Sequence, residues 1–287
     1  MNKTEITRIF KKELNTKASS IIDKSKGVNQ EVKIVETDSG KFVIKVPHNE
    51  KDKILKEVIG TKLCSKKSVP VPEIIFFNET MLIETYIEGA DLDDLKTSKK
   101  NFEQIYLEIG KLIRKMHSIA GTGFGSVNSN KLIGRFKTQK ESNESWVFKE
   151  IERLEKTKHY PEEDLNRIKK FYNENKHILR TRKSVLLHSD ITDSNIVIKN
   201  NKVSAFIDFG DLSAGPAMQD FAFIYIDHFG DYKFEKLLEG YGKHNIEEIR
   251  FYAFCWMIWL LASKIEKKEF DKKFRRMKTL FHNIWNP

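Results

Sequence analysis

Residues 186–198 read LLHSDITDSNIVI, a stretch that places a histidine, two aspartates and an asparagine within eight positions between apolar flanks. Polar and charged groups beside a core are costly unless something pairs with them. The pattern therefore indicates a functional role for the four side chains. They are His188, Asp190, Asp193 and Asn195.

The residues that follow predict a β-hairpin. NIVIK at 195–199 and VSAFIDF at 203–209 have the composition of strands, and the asparagine pair between them tolerates the positive φ of a tight turn. Folding the hairpin back places Asn195 beside Asp208, with their side chains about 5–8 Å apart. Two oxygen-bearing side chains at one rim suit Mg²⁺, which takes few protein ligands and keeps waters and phosphates.

A third side chain can face the same place. Asp190 lies five residues before Asn195, on the loop that enters the hairpin, where a carboxylate can accept a proton from an incoming hydroxyl. Asp193, by contrast, is expected to cap or solvate the loop. The order H-x-D-x-x-x-x-N, followed 13 residues later by D-F-G, is the catalytic-loop pattern of kinases.

In these motifs the chain resembles the aminoglycoside phosphotransferase and choline kinase superfamily of small-molecule kinases. The resemblance implies a two-lobed, protein-kinase-like α+β fold. It also implies that Asp190 is the catalytic base, that Asn195 and Asp208 are the magnesium ligands, and that His188 braces the loop. The segment GPAMQDFAF resembles the part of the family that follows D-F-G, in which the aspartate, here Asp220, is structural.

The first 88 residues predict a small sheet-rich lobe. Helices are expected over 4–15 and 49–67, and a hairpin at TDSG joins two of the strands. Five antiparallel strands are expected, with the sequences SSIIDKS, EVKIVET, KFVIKV, IIFFN and MLIETYI. Residues 89–287 form the predicted catalytic and substrate-binding lobe. It has helices over 101–118, 144–159 and 161–179 and a loop at GTGFGSVNSN.

The predicted nucleotide-binding lobe offers a cation for phosphates. Lys45 is placed on a strand, and a lysine flanked by Val and Ile is costly there unless it is paired. Glu57, twelve residues on within a predicted helix, is the expected partner, and Glu50 is a competitor.

Two further stretches are expected to contact the nucleotide. The segment between the first two strands should cover the phosphates through Gly27, Val28 and Asn29, although it lacks the glycine-rich pattern of protein kinases. MLIETYIEGADL resembles the stretch that joins the lobes, whose backbone would bind a purine. The residues involved would be Glu84, Tyr86 and Ile87. The sequence does not distinguish ATP from GTP.

The acceptor is predicted to be a hydroxyl of a small molecule, because no A-P-E motif or long activation segment follows D-F-G. IDFGD and GTGFG most resemble antibiotic phosphotransferases, so an aminoglycoside is the expected acceptor, with choline, homoserine or a sugar as alternatives. A polycation needs an acidic pocket, for which the chain offers Asp211, Asp227, Asp231, Glu235 and Glu239. Trp256 and Trp259 are instead expected in the core, although they suit an aromatic cage for choline.

Composition narrows the remaining classes. The chain of 287 residues has a net charge of +10, mostly from lysines spread along its length, and lacks an Arg-rich or aromatic-interleaved block. Nucleic-acid binding is therefore an alternative rather than the prediction. A non-catalytic module on a kinase-like scaffold is the other alternative, but it would normally have lost one of Lys45, Asp190, Asn195 or Asp208, and all four are present. Two distant cysteines, no secretory signal and no apolar run longer than 12 residues predict a cytoplasmic protein, expected to be a monomer.

Overall fold

The computed structural model describes residues 1–26, 30–48, 52–127 and 131–285. The predicted phosphate-covering residues Gly27, Val28 and Asn29 lie outside this part of the chain, as does Glu50. The helices are α1 (Lys3–Glu13), α2 (Asp52–Ser65), α3 (Lys99–Met116), α4 (Gln139–Lys156), α5 (Glu162–Asn175), α6 (Ala222–His228), α7 (Tyr232–Tyr241), α8 (Ile246–Glu266) and α9 (Lys272–Trp285). The strands are β1 (Ala18–Lys26), β2 (Gln30–Thr37), β3 (Gly40–Pro47), β4 (Ile74–Phe77), β5 (Leu82–Thr85), β6 (Ala90–Asp91), β7 (Phe124–Val127), β8 (Gly134–Phe136), β9 (Val185–Leu187), β10 (Ile196–Lys199), β11 (Lys202–Phe206) and β12 (Ser213–Gly215).

The first part of the chain folds as an antiparallel sheet of five strands in the order β1-β2-β3-β5-β4. Thr37 pairs with Gly40, so the predicted TDSG hairpin is present, and Gly40 supplies a positive φ of 135° there. Helix α1 packs Ile6 and Phe10 on one face of this sheet against Val35 and Ile44. The predicted α+β, kinase-like fold class is confirmed, with mostly helical structure following the sheet.

The catalytic hairpin is β10–β11, and its register differs by one residue from the predicted one. Ile196 pairs with Phe206 and Val197 with Ala205, and an irregularity precedes the pairs nearer the turn. The backbone N–H of Ile207 donates to the carbonyl of Asn195 at 3.0 Å, so the residues that flank both strands stay at one end. Strand β6 extends the hairpin on its other side and follows the predicted boundary at residue 88.

The sequence GTGFGSVNSN, predicted as a loop, contains a strand. β7 occupies residues 124–127 and lies in a second antiparallel sheet with the order β8-β7-β12-β9. Gly123 and Gly125 have φ values of 68° and 86°, and a Cβ on Gly123 would lie 2.8 Å from the carbonyl oxygen of Gly134. The glycines therefore allow the close approach of two strands.

The largest hydrophobic cluster lies among the helices and beneath both small sheets. Helix α8 is its centre, because residues on all sides of that helix, including Phe251, Cys255 and Leu261, are buried. Within the part of the chain that the structure describes, no helix is both long and apolar enough to cross a membrane.

Candidate active site

A cleft of about 330 Å³ lies between the five-stranded sheet and the catalytic hairpin. It brings together residues that are far apart in the chain, since Lys24, Lys45 and Asp211 all line it. Of the predicted site residues, those that line it are Lys45, Glu84, Tyr86, Ile87, Asp190, Asn195, Asp208 and Asp211.

Within the catalytic loop, hydrogen bonds from Asn195 hold Asp190 in position. The Asn195 side-chain amide donates to the Asp190 carboxylate at 2.8 Å and to the Asp190 carbonyl at 2.9 Å. With Nδ2 used in this way, Oδ1 of Asn195 is left as the oxygen that can accept or ligate. The same side chain therefore orients the predicted base and presents an oxygen to the cleft.

Asp190 is mostly buried, and burial raises its pKa above the ordinary value. The amide of Asn195 and the ring of His188 oppose this rise, while the carboxylates of Asp208 and Asp211 add to it. A carboxylate with a raised pKa binds a proton more tightly. The site therefore favours proton acceptance from a hydroxyl more than an exposed aspartate would.

Asp208 begins the D-F-G segment in the left-handed region, with φ 67° and ψ 63°. This conformation is strained for a residue other than glycine and is found mainly at functional sites. Its Oδ2 atom accepts from Nε2 of Gln30 at 3.3 Å, which links the hairpin to strand β2. Sequence reasoning did not identify Gln30, because a glutamine at the start of a strand carries no motif.

The donor set fits magnesium. Asn195 Oδ1 and the Asp208 carboxylate offer hard oxygen donors on one cleft wall, and Mg²⁺ favours a few such donors together with waters and phosphate oxygens. Across the described ranges, no group of three or more His, Cys, Asp and Glu side chains is spaced to hold a metal. An ion at this site would therefore depend on a bound nucleotide for further ligands.

Asp220 and His188 brace the loop from behind, where the resemblance placed them. Asp220 accepts from the backbone N–H groups of His188 at 2.9 Å and Ser189 at 2.7 Å, and from His117 Nε2 at 3.1 Å. The His188 ring is fully buried, and its Nε2 donates to the carbonyl of Ile207 at 3.0 Å. Both predicted support residues thus fix backbone rather than point into the cleft.

Asp193 has buried partners and is not a solvated cap. Its Oδ2 accepts from His228 Nε2 at 2.9 Å and from the hydroxyl of Tyr106. Tyr106 lies on α3 and His228 ends α6, so this network ties the catalytic loop to two helices. Nothing in the local sequence indicates these partners, because they lie 87 and 35 residues from Asp193.

Lys45 is paired with two carboxylates. Its Nζ lies 2.8 Å from Glu57 and 2.9 Å from Glu84, and all three side chains are buried. Burial opposes the charged form of Lys45, but Glu57, Glu84 and Asp208 together raise its pKa. Burial also raises the pKa of Glu57, and the attraction of Lys45 does not fully offset it. The second partner was missed, since Glu84 was assigned a backbone role.

The stretch from residue 84 to 87 forms one end of the cleft. The N–H groups of Thr85 and Tyr86 already donate to the carbonyls of Glu73 and Lys41, at 2.9 Å and 3.1 Å. A purine would therefore use other backbone groups of this stretch, of which those of Ile87 lie at the cleft. Apolar side chains from both walls face the space beside it. They are Val32, Val43, Val197 and Ile207.

A second cavity, of about 770 Å³, opens on the other side of the catalytic loop. Lys53, Asp190 and Asp211 line both spaces. A group that passes from one cavity to the other would pass these three side chains. Lys53 was not predicted, because one lysine in a lysine-rich helix gives no distinguishing signal.

The predicted acidic pocket is not assembled. Asp211 and Asp227 line the second cavity, but Asp231 and Glu235 line a different hollow beside α7, and Asp231 caps that helix. Glu239 pairs with Lys236 on the surface. Their spacing in the sequence suited one helix face, but the turn at Gly230 directs the later residues elsewhere.

The two tryptophans are also placed differently from the prediction. Trp256 and Trp259 are half-buried and line the second cavity, rather than lying wholly within the core. A run of apolar residues in α8 does not distinguish a core face from the wall of a cavity, because both need apolar side chains.

Residues 23–255 match the model of the phosphotransferase enzyme family. The chain belongs to this family. Membership confirms the predicted relationship and the predicted enzyme class, a small-molecule kinase that is a phosphotransferase. A search of curated proteins found no match.

Solved structures of aminoglycoside phosphotransferases have the same fold. The ternary complex of a thermostable APH(4)-Ia with AMP-PNP and hygromycin B superposes with a TM-score of 0.75, with 14% identity and 98% of each chain covered. The gentamicin complex of APH(2″)-IIa has a TM-score of 0.67 at 20% identity, covering 98% of this chain and 96% of that one. The GDP complex of an aminoglycoside 2′-phosphotransferase-IIIa mutant has a TM-score of 0.73 at 13% identity, covering 99% and 97%.

Proposed function

We propose that the enzyme transfers the γ-phosphoryl group of a nucleoside triphosphate to a hydroxyl of a small molecule, with Asp190 as the base. The observation that carries the proposal is that Asp190 lies between two cavities and lines both. A nucleotide in the cleft and an acceptor in the second cavity would then meet at one carboxylate. Phosphoryl transfer needs mainly positioning and charge stabilisation, which this arrangement supplies.

The transfer balances as follows. The acceptor oxygen forms a bond to the γ-phosphorus, the bond from that phosphorus to the bridging β–γ oxygen breaks, and the nucleoside diphosphate leaves. The hydroxyl proton passes to a carboxylate oxygen of Asp190, which the amide of Asn195 holds in position at 2.8 Å. Asp220 fixes the loop by accepting from two backbone N–H groups.

The nucleotide is proposed to lie with its base near Tyr86 and Ile87 and its phosphates toward Lys45 and the hairpin. Apolar side chains from both walls suit a flat base at the first end. The buried Lys45 supplies a positive charge, fixed by Glu57 and Glu84, at the second. Magnesium bound by Asn195 and Asp208 would neutralise phosphate charge. Complexes of the similar structures with AMP-PNP and with GDP support either ATP or GTP.

The decisive experiment measures nucleotide turnover in the purified protein. Hydrolysis of ATP or GTP should require Mg²⁺ and disappear in Asp190→Ala, while Asp193→Ala, which alters the loop without removing the proposed base, should retain part of it. A wild-type protein that neither hydrolyses nor transfers phosphate from either nucleotide would refute the proposal.

The other predictions of the sequence are also proposals. The enzyme is placed in the cytoplasm, where nucleoside triphosphates are available, and its two buried cysteines are unpaired. It is proposed to act as a monomer without nucleic acid. Aminoglycosides are the first acceptors to assay, because similar structures bind hygromycin B and gentamicin, and their phosphorylation would imply a role in antibiotic resistance.

A further inference from the structure

The second cavity is not acidic. Among the described residues that line it, three are carboxylates and four are cations. The carboxylates are Asp190, Asp211 and Asp227, and the cations are Lys53, Lys56, Arg135 and Lys273. This balance gives a polycation no net attraction at the cavity wall.

The carboxylates that remain beside the base already have partners. Asp227 lies 2.8 Å from Lys273, and Asp211 lies 3.6 Å from Lys53. An amine of a bound ligand would have to displace a lysine of the protein from either one. Aminoglycosides carry several ammonium groups. Each ammonium group would meet carboxylates that are already paired with lysines of the protein.

One wall carries an excess of positive charge. Among the described residues, Lys56 and Arg135 both contact the carboxylate of Asp52, at 3.0 Å and 3.5 Å. Lys56 is buried, whereas the Arg135 side chain is about half exposed and open to a ligand. A neutral or anionic group would be tolerated beside this pair, and a cation would be repelled.

Part of the cavity lining is aromatic. Trp256 lies at its centre, with ring centroids 4.8 Å from Trp146, 4.9 Å from Phe223 and 5.9 Å from Trp259. Phe136 also lines the cavity. Aromatic side chains that line a cavity of this size form an apolar surface on which a ring system of a ligand would pack.

We propose that the acceptor is a hydroxyl compound of no net positive charge whose ring face packs on the wall around Trp256. The proposal rests on the proposed function, since it assumes that the second cavity holds the acceptor. It names a class different from the aminoglycosides bound by the similar structures.

A charge-reversal experiment tests the first part of the proposal, that the acceptor carries no net positive charge. Binding of gentamicin is measured by calorimetry for the wild type and for Lys56→Glu/Arg135→Glu. The wild type should bind only weakly, in the millimolar range, and the double variant about tenfold more tightly or better. The matched control is Arg167→Glu/Lys170→Glu on α5, which lines neither cavity and should leave binding unchanged. Micromolar binding by the wild type, or no response to reversal, overturns the proposal.

A set of ligands with ring systems tests the second part of the proposal, the packing of a ring on the wall around Trp256. Chloramphenicol (uncharged) and cholate (anionic) are offered with nucleotide and Mg²⁺, and binding is followed by quenching of tryptophan fluorescence and by phosphate transfer. At least one should quench the fluorescence and be phosphorylated. In Trp256→Leu the KM for the acceptor should rise about tenfold while the KM for the nucleotide is unchanged. In Trp256→Phe, which keeps an aromatic ring, the KM for the acceptor should stay close to that of the wild type.

The two proposals fail in different ways. If neither ring compound binds while Asp190-dependent nucleotide hydrolysis is intact, the acceptor class is overturned and the kinase proposal stands. If nucleotide hydrolysis itself is absent, the proposed function fails first. Chloramphenicol and cholate differ in charge, so their relative turnover shows whether the pair Lys56 and Arg135 selects an anion.

Discussion

At the scale of single residues, Asp190 combines a catalytic position with an unfavourable environment. Its pKa is raised chiefly by burial, so the ionised form is less favourable in the folded chain than in the unfolded chain. Asp190→Asn removes that charge and keeps an oxygen for Asn195. We expect turnover to fall by about a thousandfold or more, while the melting temperature at pH 7 stays equal or rises.

The measurement pairs steady-state assays with thermal unfolding in the absence of nucleotide. A variant that loses both activity and stability would show that Asp190 holds the fold together instead of serving the reaction. Asp193→Asn is the matched comparison, because Asp193 has two buried partners and should lose stability when its charge is removed.

The same raised pKa predicts the pH dependence. A base must be ionised to act, so kcat/KM should fall as the pH is lowered through the pKa of Asp190. Because that pKa is raised, the decline should begin above the ordinary aspartate value of about 3.9. Asp211→Asn removes one of the charges that raise it and should move the acid limb downward. If the apparent pKa on the acid side of the profile is the same in Asp211→Asn, the titrating group is not Asp190.

Lys45 gives a prediction of the opposite sign for stability. Lys45→Met leaves Glu57 and Glu84 buried without their shared cation, at 2.8 Å and 2.9 Å from the lost Nζ. Removing one partner from a buried ionic cluster costs about 3–5 kcal/mol. Chemical denaturation should show a loss of this size, which Lys45→Met/Glu84→Gln should partly restore. An unchanged midpoint in the single variant would mean that the carboxylates are solvated.

At the scale of elements, helix α2 approaches the D-F-G segment through a glycine. A Cβ on Gly60 would lie 2.6–2.8 Å from side-chain atoms of Phe209. Gly→Ala within a helix ordinarily stabilises by about 1 kcal/mol, but here overpacking of about 1–3 kcal/mol should dominate. Gly60→Ala should therefore unfold at lower denaturant, and Gly60→Ala/Phe209→Leu should be less destabilised than the two single changes summed. Strict additivity would exclude the contact.

The elements also show how far sequence predicts this fold. The strands of the first sheet follow from short runs rich in apolar and β-branched residues between turn residues, and the hairpin after Asn195 follows from its asparagine turn, so most of the cleft wall was predictable. Strands β7, β8, β9 and β12 have three or four residues each, which is too short to show a periodicity, and β7, β8 and β12 each include a glycine. They form only because each strand pairs with a neighbour in the sheet, in the order β8-β7-β12-β9. A single sequence does not show that pairing.

The candidate site residues also divide into those that are close in the chain and those that only the fold brings together. Asp190, Asn195 and Asp208 lie within one hairpin, so their proximity could be argued from the chain alone. Glu84 and Gln30 reach the site through the order of the sheet, and His228 reaches it through helix packing. Acidic residues near α7 were candidates for one pocket, but a single sequence does not show which of them face the cavity.

At the scale of the whole molecule, the cleft is lined by two bodies of structure, the five-stranded sheet and the part of the chain that holds the catalytic hairpin. One link is Gln30 with Asp208, at 3.3 Å, and another is Lys24 with Asp91, at 3.5 Å. Gly89 lies where the chain passes between them, and a Cβ there would lie 2.5 Å from the carbonyl oxygen of Ile198. A ligand that contacts both sides should therefore add appreciably to the stability of the whole.

A nucleotide is such a ligand, and magnesium decides how much it contributes. At about 100 times its Kd, a ligand that binds only the folded chain adds about 2.7 kcal/mol, which is several degrees in melting temperature for a chain of this size. We expect this shift with ATP or GTP plus Mg²⁺, and a smaller one with EDTA. Asp208→Asn should respond to nucleotide equally with and without Mg²⁺, because one proposed ligand is gone. A full, Mg²⁺-dependent shift in that variant would place the ion elsewhere in the cleft.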